Sequence, residues 1–464
     1  MKQYNSIYIF SITLVATLGG LLFGYDTAVI SGAEKSIEAY LIIPLGLGAF
    51  AHGATVSSAL IGCIIGGAIS GLLSNRLGRK RSLQLAGILF LLSALGSAWP
   101  ETLFFTQGEP SMGLLWTFNL YRILGGIGVG LASAVCPTYI GEIAPANIRG
   151  RLVSFNQFAI IFGMLVVYFV NWGIANGQTL DWVNATGWRY MFASEALPAG
   201  LFYVLLFFVP ETPRYLALIR QDAKAESVLN HIYGSKKKAK TILDEIKGTI
   251  DEGVKAKVLS YGKKVIVIGI LLSVFQQFVG INVVLYYAPR IFESMGAAKD
   301  ASMLQTIVMG LVNVIFTVVA IVTVDKWGRK PLLVTGSIGM AVGIFAIAIL
   351  SYLNIFSILT LVFIIIFTAS FMMSWGPICW VYISELFPTK IRGQAVAIAV
   401  EAQWAANYLI SSTYPGMMGF SSVFTYGFYG AMAVLSAIFV WKMVPETKGK
   451  SLEEIEKFWK RSKN

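Results

Sequence analysis

The chain has 464 residues, of which 56% are hydrophobic and only 13% are charged. Soluble globular proteins carry about 25% charged residues, so this composition excludes a soluble protein and predicts an all-α polytopic membrane protein. The formal net charge of +12 does not indicate nucleic-acid binding, because the basic residues lie in loops between apolar runs.

Twelve apolar runs are each close to the ~20 residues that an α-helix needs to cross a bilayer. They predict twelve transmembrane helices. The first run follows a single early lysine and has no clear signal-peptide cleavage site, so we expect it to stay in the protein. The predicted spans lie at residues 8–30, 54–73, 83–99, 114–140, 153–174, 189–209, 265–288, 303–324, 331–352, 358–384, 394–415 and 424–443.

One long polar stretch separates the first six predicted spans from the last six. It contains two amphipathic patches, Ala225–Tyr233 and Thr241–Ile250, which predict a small helical linker. The alternative is a flexible linker without helices. The predicted domains are an N-terminal six-helix half (1–209), a cytoplasmic helical linker (210–263), a C-terminal six-helix half (264–443) and a cytoplasmic tail (444–464).

Three short motifs occur twice, in the same order, once in each half. Gly-Arg-Lys follows the second span of each half, a loop from Glu to Arg-Gly follows the fourth, and Pro-Glu-Thr follows the sixth. This repetition predicts an internal duplication, so we expect two homologous halves. The paired segments are 78–80 and 328–330, 142–150 and 385–393, and 210–212 and 445–447.

All six of these motif copies follow even-numbered spans, so we expect them on one face of the membrane. The same face collects most of the lysines and arginines of the loops, whereas the opposite loops hold few, mainly Lys35, Arg290 and Lys299. The positive-inside rule therefore predicts that both termini and the linker are cytoplasmic.

Span 7 contains three amides, Gln276, Gln277 and Asn282, in an otherwise apolar run. Buried amides are costly unless a partner or a cavity receives them. Gln277 and Asn282 are about 140° apart around an ideal helix, and Gly280 between them predicts an opening that turns both toward one pocket. Amides beside aromatic faces suit a neutral polyhydroxylated ligand. The alternative is that these residues only hold helices together.

Three ionisable residues lie in or beside spans of the first half: Asp26, Arg122 and Glu195. A charge at the bilayer centre costs about 2.5–3.5 kcal/mol, so we expect the three to lie close together. A carboxylate whose surroundings change can exchange a proton, which makes Asp26 a candidate proton carrier. A purely structural salt bridge is the alternative. Glu401 in span 11 matches no motif; it is either a second protonatable group or a side chain that reaches toward the cytoplasmic end.

The other conspicuous residues predict no chemistry. The glycines of span 4 lie inside an apolar helix with no preceding strand, so they predict close helix packing rather than a nucleotide site, as do those of span 2. These glycines are Gly126, Gly128 and Gly130, and Gly62, Gly66, Gly67 and Gly71. The three cysteines lack metal spacing, and neither His52 nor His231 has ligands near it in sequence, so we expect no metal, no cofactor and no catalytic residue.

The duplicated loops, the paired Pro-Glu-Thr motifs and Gln-Gln-x-x-Gly-x-Asn in span 7 resemble the sugar porter family of the major facilitator superfamily over nearly the whole chain. The segments around Asp26, Gln157 and Glu195 are most similar to the bacterial D-xylose–proton symporters of that family. They read Phe-Gly-Tyr-Asp, Ser-Phe-Asn-Gln-Phe-Ala-Ile-Ile-Phe-Gly and Trp-Arg-Tyr-Met-Phe-Ala-Ser-Glu.

The resemblance implies a sugar site at mid-membrane between the halves, contributed mostly by the second half. The implied binding and lining residues are Phe23, Gln157, Gln276, Gln277, Asn282, Tyr286, Asn313, Gly376, Trp380, Gln403 and Trp404. Asp26, Arg122 and Glu195 would couple proton movement. Met164 departs from the pattern, because the D-xylose symporters carry glutamine there and the related glucose facilitators are apolar.

The resemblance also implies a cytoplasmic network that clasps the two halves while the site faces outward. A role in membrane topology alone is the alternative. The residues that match the network are Arg79, Glu142, Arg149, Glu211, Asp325, Arg329, Glu385, Arg392 and Glu446.

We therefore expect proton-coupled import of a monosaccharide, D-xylose first, by a monomer in a bacterial inner membrane. Its partners would be the sugar, the proton and the lipid bilayer, with no nucleic acid. The alternatives are a symporter for glucose or another hexose, a passive sugar facilitator, and a sugar sensor that does not transport. Asp26 argues against the facilitator, because facilitative relatives have an uncharged residue there.

Overall fold

The computed structural model describes residues 4–145, 148–251, 258–294, 296, 298–355, 358–388, 391–448, 455 and 459. Within these ranges, the side chains of residues 249–251, 299, 300, 325 and 384 are not described. Asp325 of the predicted cytoplasmic network therefore lies outside the described side chains, as does most of the predicted tail. The regular structure of the described residues is helical, with no strand.

The helices of the first half follow one another with short connections. They are α1 (Ser6–Ile37), α2 (Ala49–Val56), α3 (Ser58–Leu77), α4 (Arg79–Ala98), α5 (Met112–Ile143), α6 (Arg149–Ala175), α7 (Leu180–Trp182), α8 (Trp188–Ala193) and α9 (Ala196–Leu205). A π-helical turn, Glu38–Ile42, continues α1, and another, Val183–Gly187, precedes α8.

The linker and the second half contain the remaining helices. The linker helices are α10 (Pro213–Leu218), α11 (Asp222–Tyr233) and α12 (Lys236–Asp251). A 3₁₀ turn, Val258–Tyr261, follows. The second half contains α13 (Lys263–Phe278), α14 (Ile281–Tyr286), α15 (Ala288–Ser294), α16 (Lys299–Trp327), α17 (Arg329–Tyr352), α18 (Ile358–Met372), α19 (Trp375–Leu386), α20 (Arg392–Phe420) and α21 (Ser422–Met443).

All twelve predicted spans coincide with these helices. Ten helical segments of the described chain are long and apolar enough to cross a membrane. The other two predicted spans are α8 with α9, which are short because the helix is interrupted at Ser194 and Glu195, and α20, which carries polar residues along its length. Helices commonly extend beyond the apolar runs, because their backbone hydrogen bonds can continue outside the hydrocarbon core of the bilayer.

Both halves pack their helices in the same pattern. In the first half α1 packs on α6, α3 on α5 and α4 on α9; in the second half α13 packs on α20, α16 on α18 and α17 on α21. The contacts between the halves are symmetric as well. Helix α6 of the first half packs on α16 of the second, and the equivalent helix α20 of the second half packs on α2 and α3 of the first. The predicted duplication is therefore present in the fold.

Glycines allow the close contact of α3 with α5. A Cβ on Gly62 or Gly126 would collide with backbone of the opposite helix. The packing prediction is wrong for Gly71, which has no neighbour where a Cβ would be. Gly67 is closely packed: its backbone N would lie 2.6 Å from a Cβ on Gly130 of α5, and a Cβ on Gly67 itself would meet the Glu401 carboxylate of α20.

The linker helices form a small hydrophobic core of their own. The buried side chains at its centre include Leu216, Ala225, Leu229 and Leu243. The linker also touches the start of α1, where the Asn5 backbone N–H donates to the Ile232 carbonyl oxygen over 2.8 Å. We call the end of the molecule that carries α10–α12 the linker end and the opposite end the far end.

Candidate functional site

Span 7 is broken at the predicted position. Helix α13 ends at Phe278, Gly280 adopts φ +88°, and α14 begins at Ile281. A positive φ of this size is readily available to glycine and costly for other residues. The break turns the amides on either side toward each other, and the Asn282 Nδ2 donates to the Gln277 Oε1 over 2.5 Å.

The three amides of span 7 form a chain of hydrogen bonds. Gln277 Nε2 donates to Gln276 Oε1 over 3.3 Å. Gln276 Nε2 in turn donates to the carbonyl oxygens of Trp375 and Gly376, over 2.8 and 3.3 Å, at the start of α19. The chain therefore links α14, α13 and α19, and fixes the orientation of each amide.

Helix α20 adds further polar groups beside this chain. Gln403 and Trp404 are buried, and neither Gln403 Oε1 nor Trp404 Nε1 has a hydrogen-bond partner among the described residues. The Trp404 ring lies 5.6 Å from that of Phe23 in α1, so this contact joins the halves. Asn407, one turn further along α20, donates to the Tyr286 hydroxyl over 3.3 Å.

Asn407 was absent from the predicted site. It lies four residues after Gln403, the spacing that places two side chains on one helix face. That spacing was the signal in the sequence that could have identified it.

Asn313, Gln157 and Trp380 also make no described hydrogen bond to the other predicted site residues. Asn313 in α16 is buried with its Oδ1 unpartnered, whereas Gln157 in α6 and Trp380 in α19 are half-buried. Met164 is buried on α6, two turns from Gln157. The assignment of all these residues to a sugar site stays a prediction.

The charged residues of the first half form a buried ion pair with a third group nearby. Arg122 Nη1 donates to Asp26 Oδ1 over 2.7 Å, and Arg122 Nη2 donates to the Asp26 carbonyl oxygen over 3.0 Å. Both residues are at most 1% exposed. Glu195 is fully buried where the charges of Asp26 and Arg122 act on it. Neither Glu195 oxygen accepts a hydrogen bond from the described residues.

At the linker end, equivalent networks occur in each half. Arg79 Nη2 donates to Glu142 Oε1 over 2.9 Å, and Arg329 Nη2 donates to Glu385 Oε1 over 2.8 Å. Each glutamate also accepts from the threonine of the Pro-Glu-Thr motif, over 2.6 Å in the first half and 2.7 Å in the second. These bonds lie within the halves, so the predicted clasp between them stays a prediction.

The glutamates of the two Pro-Glu-Thr motifs cap the N-termini of α4 and α17. Glu211 accepts from the backbone N–H groups of Arg79 and Lys80, and Glu446 accepts from those of Arg329 and Lys330. Burial raises the pKa of Glu211, and the backbone donors around it oppose that rise.

The remaining two arginines of the predicted network, Arg149 and Arg392, make no described ion pair with the glutamates of the network. Arg149 is exposed, and Arg392 donates to the Phe387 carbonyl oxygen over 3.2 Å.

The site therefore combines two kinds of chemistry in separate halves. The second half provides oriented amides, an indole N–H and aromatic faces, which can hydrogen-bond and stack on a neutral polyhydroxylated molecule. The first half provides a buried carboxylate pair with one arginine, which can hold or release a proton as its surroundings change.

The chain is similar to known proteins over most of its length. The profile of the family described as "Sugar (and other) transporter" matches residues 12–459. The D-xylose-proton symporter of Escherichia coli (strain K12) is 54% identical over 477 residues, covering 98% of this chain and 97% of that one. The glucose facilitated diffusion protein of Zymomonas mobilis is 39% identical over 466 residues, covering 97% and 98%.

The fold is also similar to a solved structure. The inward open conformation of the xylose transporter XylE from E. coli matches with a TM-score of 0.89 at 53% sequence identity, covering 97% of this chain and 100% of that one.

Proposed function

The chain belongs to the sugar transporter family, and from this we propose that it imports D-xylose together with a proton by alternating access. The resemblance to sugar porters found in the sequence is thereby confirmed. The E. coli D-xylose-proton symporter, identical at 54% of positions over nearly the full length, supports the choice of sugar and coupling ion. The protein is a transporter, and we propose that it makes and breaks no covalent bond.

The observation that carries the proposal is the hydrogen-bonded chain of Gln276, Gln277 and Asn282 at the break in span 7. Asn313, Gln403 and Trp404 each present a buried polar atom without a partner in the described part of the chain. Unpaired buried polar atoms are costly unless a ligand or water receives them. Hydroxyl groups of a monosaccharide would satisfy both donors and acceptors.

The ion pair of Asp26 with Arg122 supports proton coupling. A ligand shifts a conformational equilibrium only if it interacts differently with the two states. Protonation of Asp26 would weaken its bond to Arg122 and change the interactions of Glu195. The proton would therefore interact differently with the two conformations. A passive facilitator of the same fold needs no such group and is the weaker alternative.

Met164 is the observation that favours a second sugar. Its thioether is a poor hydrogen-bond partner at the position where the similar symporters are expected to carry an amide. Glucose, the cargo named for the Z. mobilis relative, is therefore the second candidate. A sugar sensor that does not transport is the third.

We propose the domain boundaries and orientation expected from the sequence. The halves would be 1–209 and 264–443, joined by the linker 210–263 and followed by the tail 444–464. The basic loops at the linker end support a cytoplasmic linker and cytoplasmic termini in a bacterial inner membrane.

Uptake into proteoliposomes tests the proposal. With an inward proton gradient, labelled D-xylose should accumulate above its external concentration, and a protonophore should abolish this accumulation. D-glucose, L-arabinose and D-ribose should compete less well than unlabelled D-xylose.

Each alternative gives a different result in the same assay. Stronger competition by D-glucose identifies a hexose symporter, and equilibration that ignores the gradient identifies a facilitator. Sugar binding in calorimetry without any uptake identifies a sensor.

A further inference from the structure

A cluster of charged side chains joins the two halves at the far end. Arg290 of α15 makes a bidentate bond to Glu34 of α1, with Nε to Oε1 at 2.8 Å and Nη2 to Oε2 at 2.7 Å. Arg290 also pairs with Glu38, and Lys35 pairs with Glu293 of α15. All ion pairs that the structure describes between the halves belong to this far-end cluster.

His52 of α2 lies at the centre of the far-end cluster, fully buried. Its Nε2 is 3.2 Å from Glu34 Oε2, and its Nδ1 is 3.7 Å from Glu38 Oε1. The expectation that no potential ligand lies near His52 is therefore wrong, because both glutamates are distant from it in sequence. The ring of Tyr287 meets His52 edge-on, with Tyr414 of α20 behind it.

The members of the far-end cluster belong to different halves. Glu34, Glu38 and His52 lie on elements of the first half and stay together if the halves separate, whereas Arg290 belongs to the second half. Arg290 and a protonated His52 are both cations, and they compete for the same two carboxylates.

This competition fixes the direction in which a proton acts. With the far end closed, His52 is buried beside Glu34 and Glu38, and Arg290 occupies both of these carboxylates. With the far end open, Arg290 has left, and a protonated His52 would be the cation that remains beside the two carboxylates. A proton on His52 therefore takes the place of Arg290, which ties protonation to the open state.

We propose that the far-end cluster is a proton-operated latch, in which protonation of His52 displaces Arg290 from Glu34 and Glu38 and opens the far end. The inference rests on the alternating access proposed above, and it does not depend on which sugar is carried. Under this proposal, acid on the far side of the membrane favours the conformation that is open to that side.

Spin labels on opposite halves measure this opening directly. Ile43 follows the π-helical turn after α1, and Phe420 ends α20; both lie at the far end and are exposed. Because the three native cysteines are buried, cysteines introduced at these two positions can be labelled selectively. Distances between the labels should be measured at about pH 8 and about pH 5.5, which bracket the ordinary titration of histidine.

In the otherwise unchanged protein, we expect the long-distance population to grow as the pH falls, by at most about tenfold per pH unit for one proton. His52→Gln keeps a side chain that can hydrogen-bond but removes the titration, so this growth should disappear. The matched control is His231→Gln, because His231 is the only other histidine and lies on the linker helix α11. An equal pH response in His52→Gln and the unchanged protein overturns the proposal.

Charge exchange at the edge of the cluster tests whether the latch is ionic. Lys35→Glu places like charges opposite each other and should increase the open population, and adding Glu293→Lys should restore the closed one. Failure of the double variant to restore closure, when it still binds sugar, contradicts an ionic latch.

The same labels separate this inference from the proposed function. A distance that responds to D-xylose but not to pH refutes the latch alone. A pH response that is lost in His52→Gln, together with no effect of any sugar, supports the latch and refutes the proposed cargo.

Discussion

Gln277 lies in the middle of the amide chain and contacts an amide on each side, Gln276 and Asn282. Gln277→Ala removes the described partner of Gln276 Oε1 and of Asn282 Nδ2. It should weaken sugar binding by about 1–3 kcal/mol, roughly 5- to 150-fold in Kd. Calorimetric titration of the purified variant measures this loss. Gln221→Ala, on an exposed side chain of the linker, is the control. Unchanged affinity in a folded Gln277→Ala protein would refute the placement of the site.

Met164 determines the choice between sugars if α6 lines the site as proposed. Met164→Gln adds a donor and an acceptor, so it should shift the preference toward D-xylose relative to D-glucose. Competitive uptake of the two sugars measures the ratio. Met164→Leu keeps an apolar side chain and should leave the ratio unchanged. A ratio that is the same in Met164→Gln and Met164→Leu would remove Met164 from the specificity argument.

Asp26 is the residue on which the proposed coupling depends. Asp26→Asn fixes a neutral side chain beside Arg122, so protonation can no longer interact differently with the two conformations. Accumulation of sugar against its gradient should be lost, whereas binding and exchange between equilibrated sugar pools should persist. Proteoliposomes with an imposed proton gradient test this. If Asp26→Asn still concentrates sugar as the unchanged protein does, Glu195 or Glu401 becomes the coupling candidate.

Residues in this protein were predictable when their chemistry was unusual for their surroundings. A lone aspartate and a lone arginine in apolar spans must find each other, and Asp26 and Arg122 do. His52 was not predictable, because its partner Glu34 lies in another helix and neither residue belongs to a motif. Contacts of this kind depend on how helices pack against each other, and the hydrophobic periodicity of a single segment does not predict that packing.

At the scale of the element, the break in span 7 rests on one glycine. Gly280→Ala would force a side chain into a left-handed conformation and place a Cβ against the ring of Tyr429. A strained residue of this kind costs of order 1–3 kcal/mol. We therefore expect a lower Tm and weaker sugar binding together, because the bond of Asn282 to Gln277 depends on the break.

The control for this prediction is Gly419→Ala in α20, where the position of a Cβ is open and φ is negative. Thermal unfolding in detergent and calorimetry should show little change there. Equal Tm and affinity in Gly280→Ala and Gly419→Ala would mean that the break does not organise the amides.

The helices themselves were largely predictable, and their interruptions only partly so. Gly280 indicated the break in span 7, whereas the interruption of span 6 at Ser194 and Glu195 was not expected from a continuous apolar run. There Pro198 has no backbone N–H to donate to the carbonyl oxygen of Ser194, which interrupts the helix at this point. The Tyr25 hydroxyl and the Ser194 hydroxyl lie 2.7 Å apart, which ties this turn to α1.

At the scale of the whole molecule, the duplicated networks at the linker end are expected to bias the conformational equilibrium. Glu142→Gln and Glu385→Gln each remove a charged partner of a partly buried arginine. Each should cost about 1 kcal/mol, and thus slow uptake roughly fivefold, without changing sugar affinity. The two effects should add in free energy, because the sites are in separate halves.

Uptake rate and calorimetry of the two single variants and the double variant test this prediction. Asp222→Asn, which removes an exposed ion pair with Lys247 in the linker, is the control and should transport normally. Unchanged uptake in the double variant would leave the networks with a role in topology alone.

The overall architecture followed from the sequence because two kinds of signal agree. Apolar runs indicated the spans, and the repeated loop motifs indicated that the halves are equivalent, as their packing now shows. Neither signal predicted which residues of one half would contact which residues of the other. Arg290 and Glu34 meet only because α15 and the end of α1 converge at the far end.

The two chemical tasks of the proposed mechanism lie mainly on different halves of the chain. Asp26, Arg122 and Glu195 belong to the first half, whereas the hydrogen-bonded amide chain belongs to the second. Under the proposed function, most substitutions that adapt such a protein to another nutrient would then fall in one half of the gene. Lineages with different diets could diverge in what they take up and keep the same source of energy for uptake.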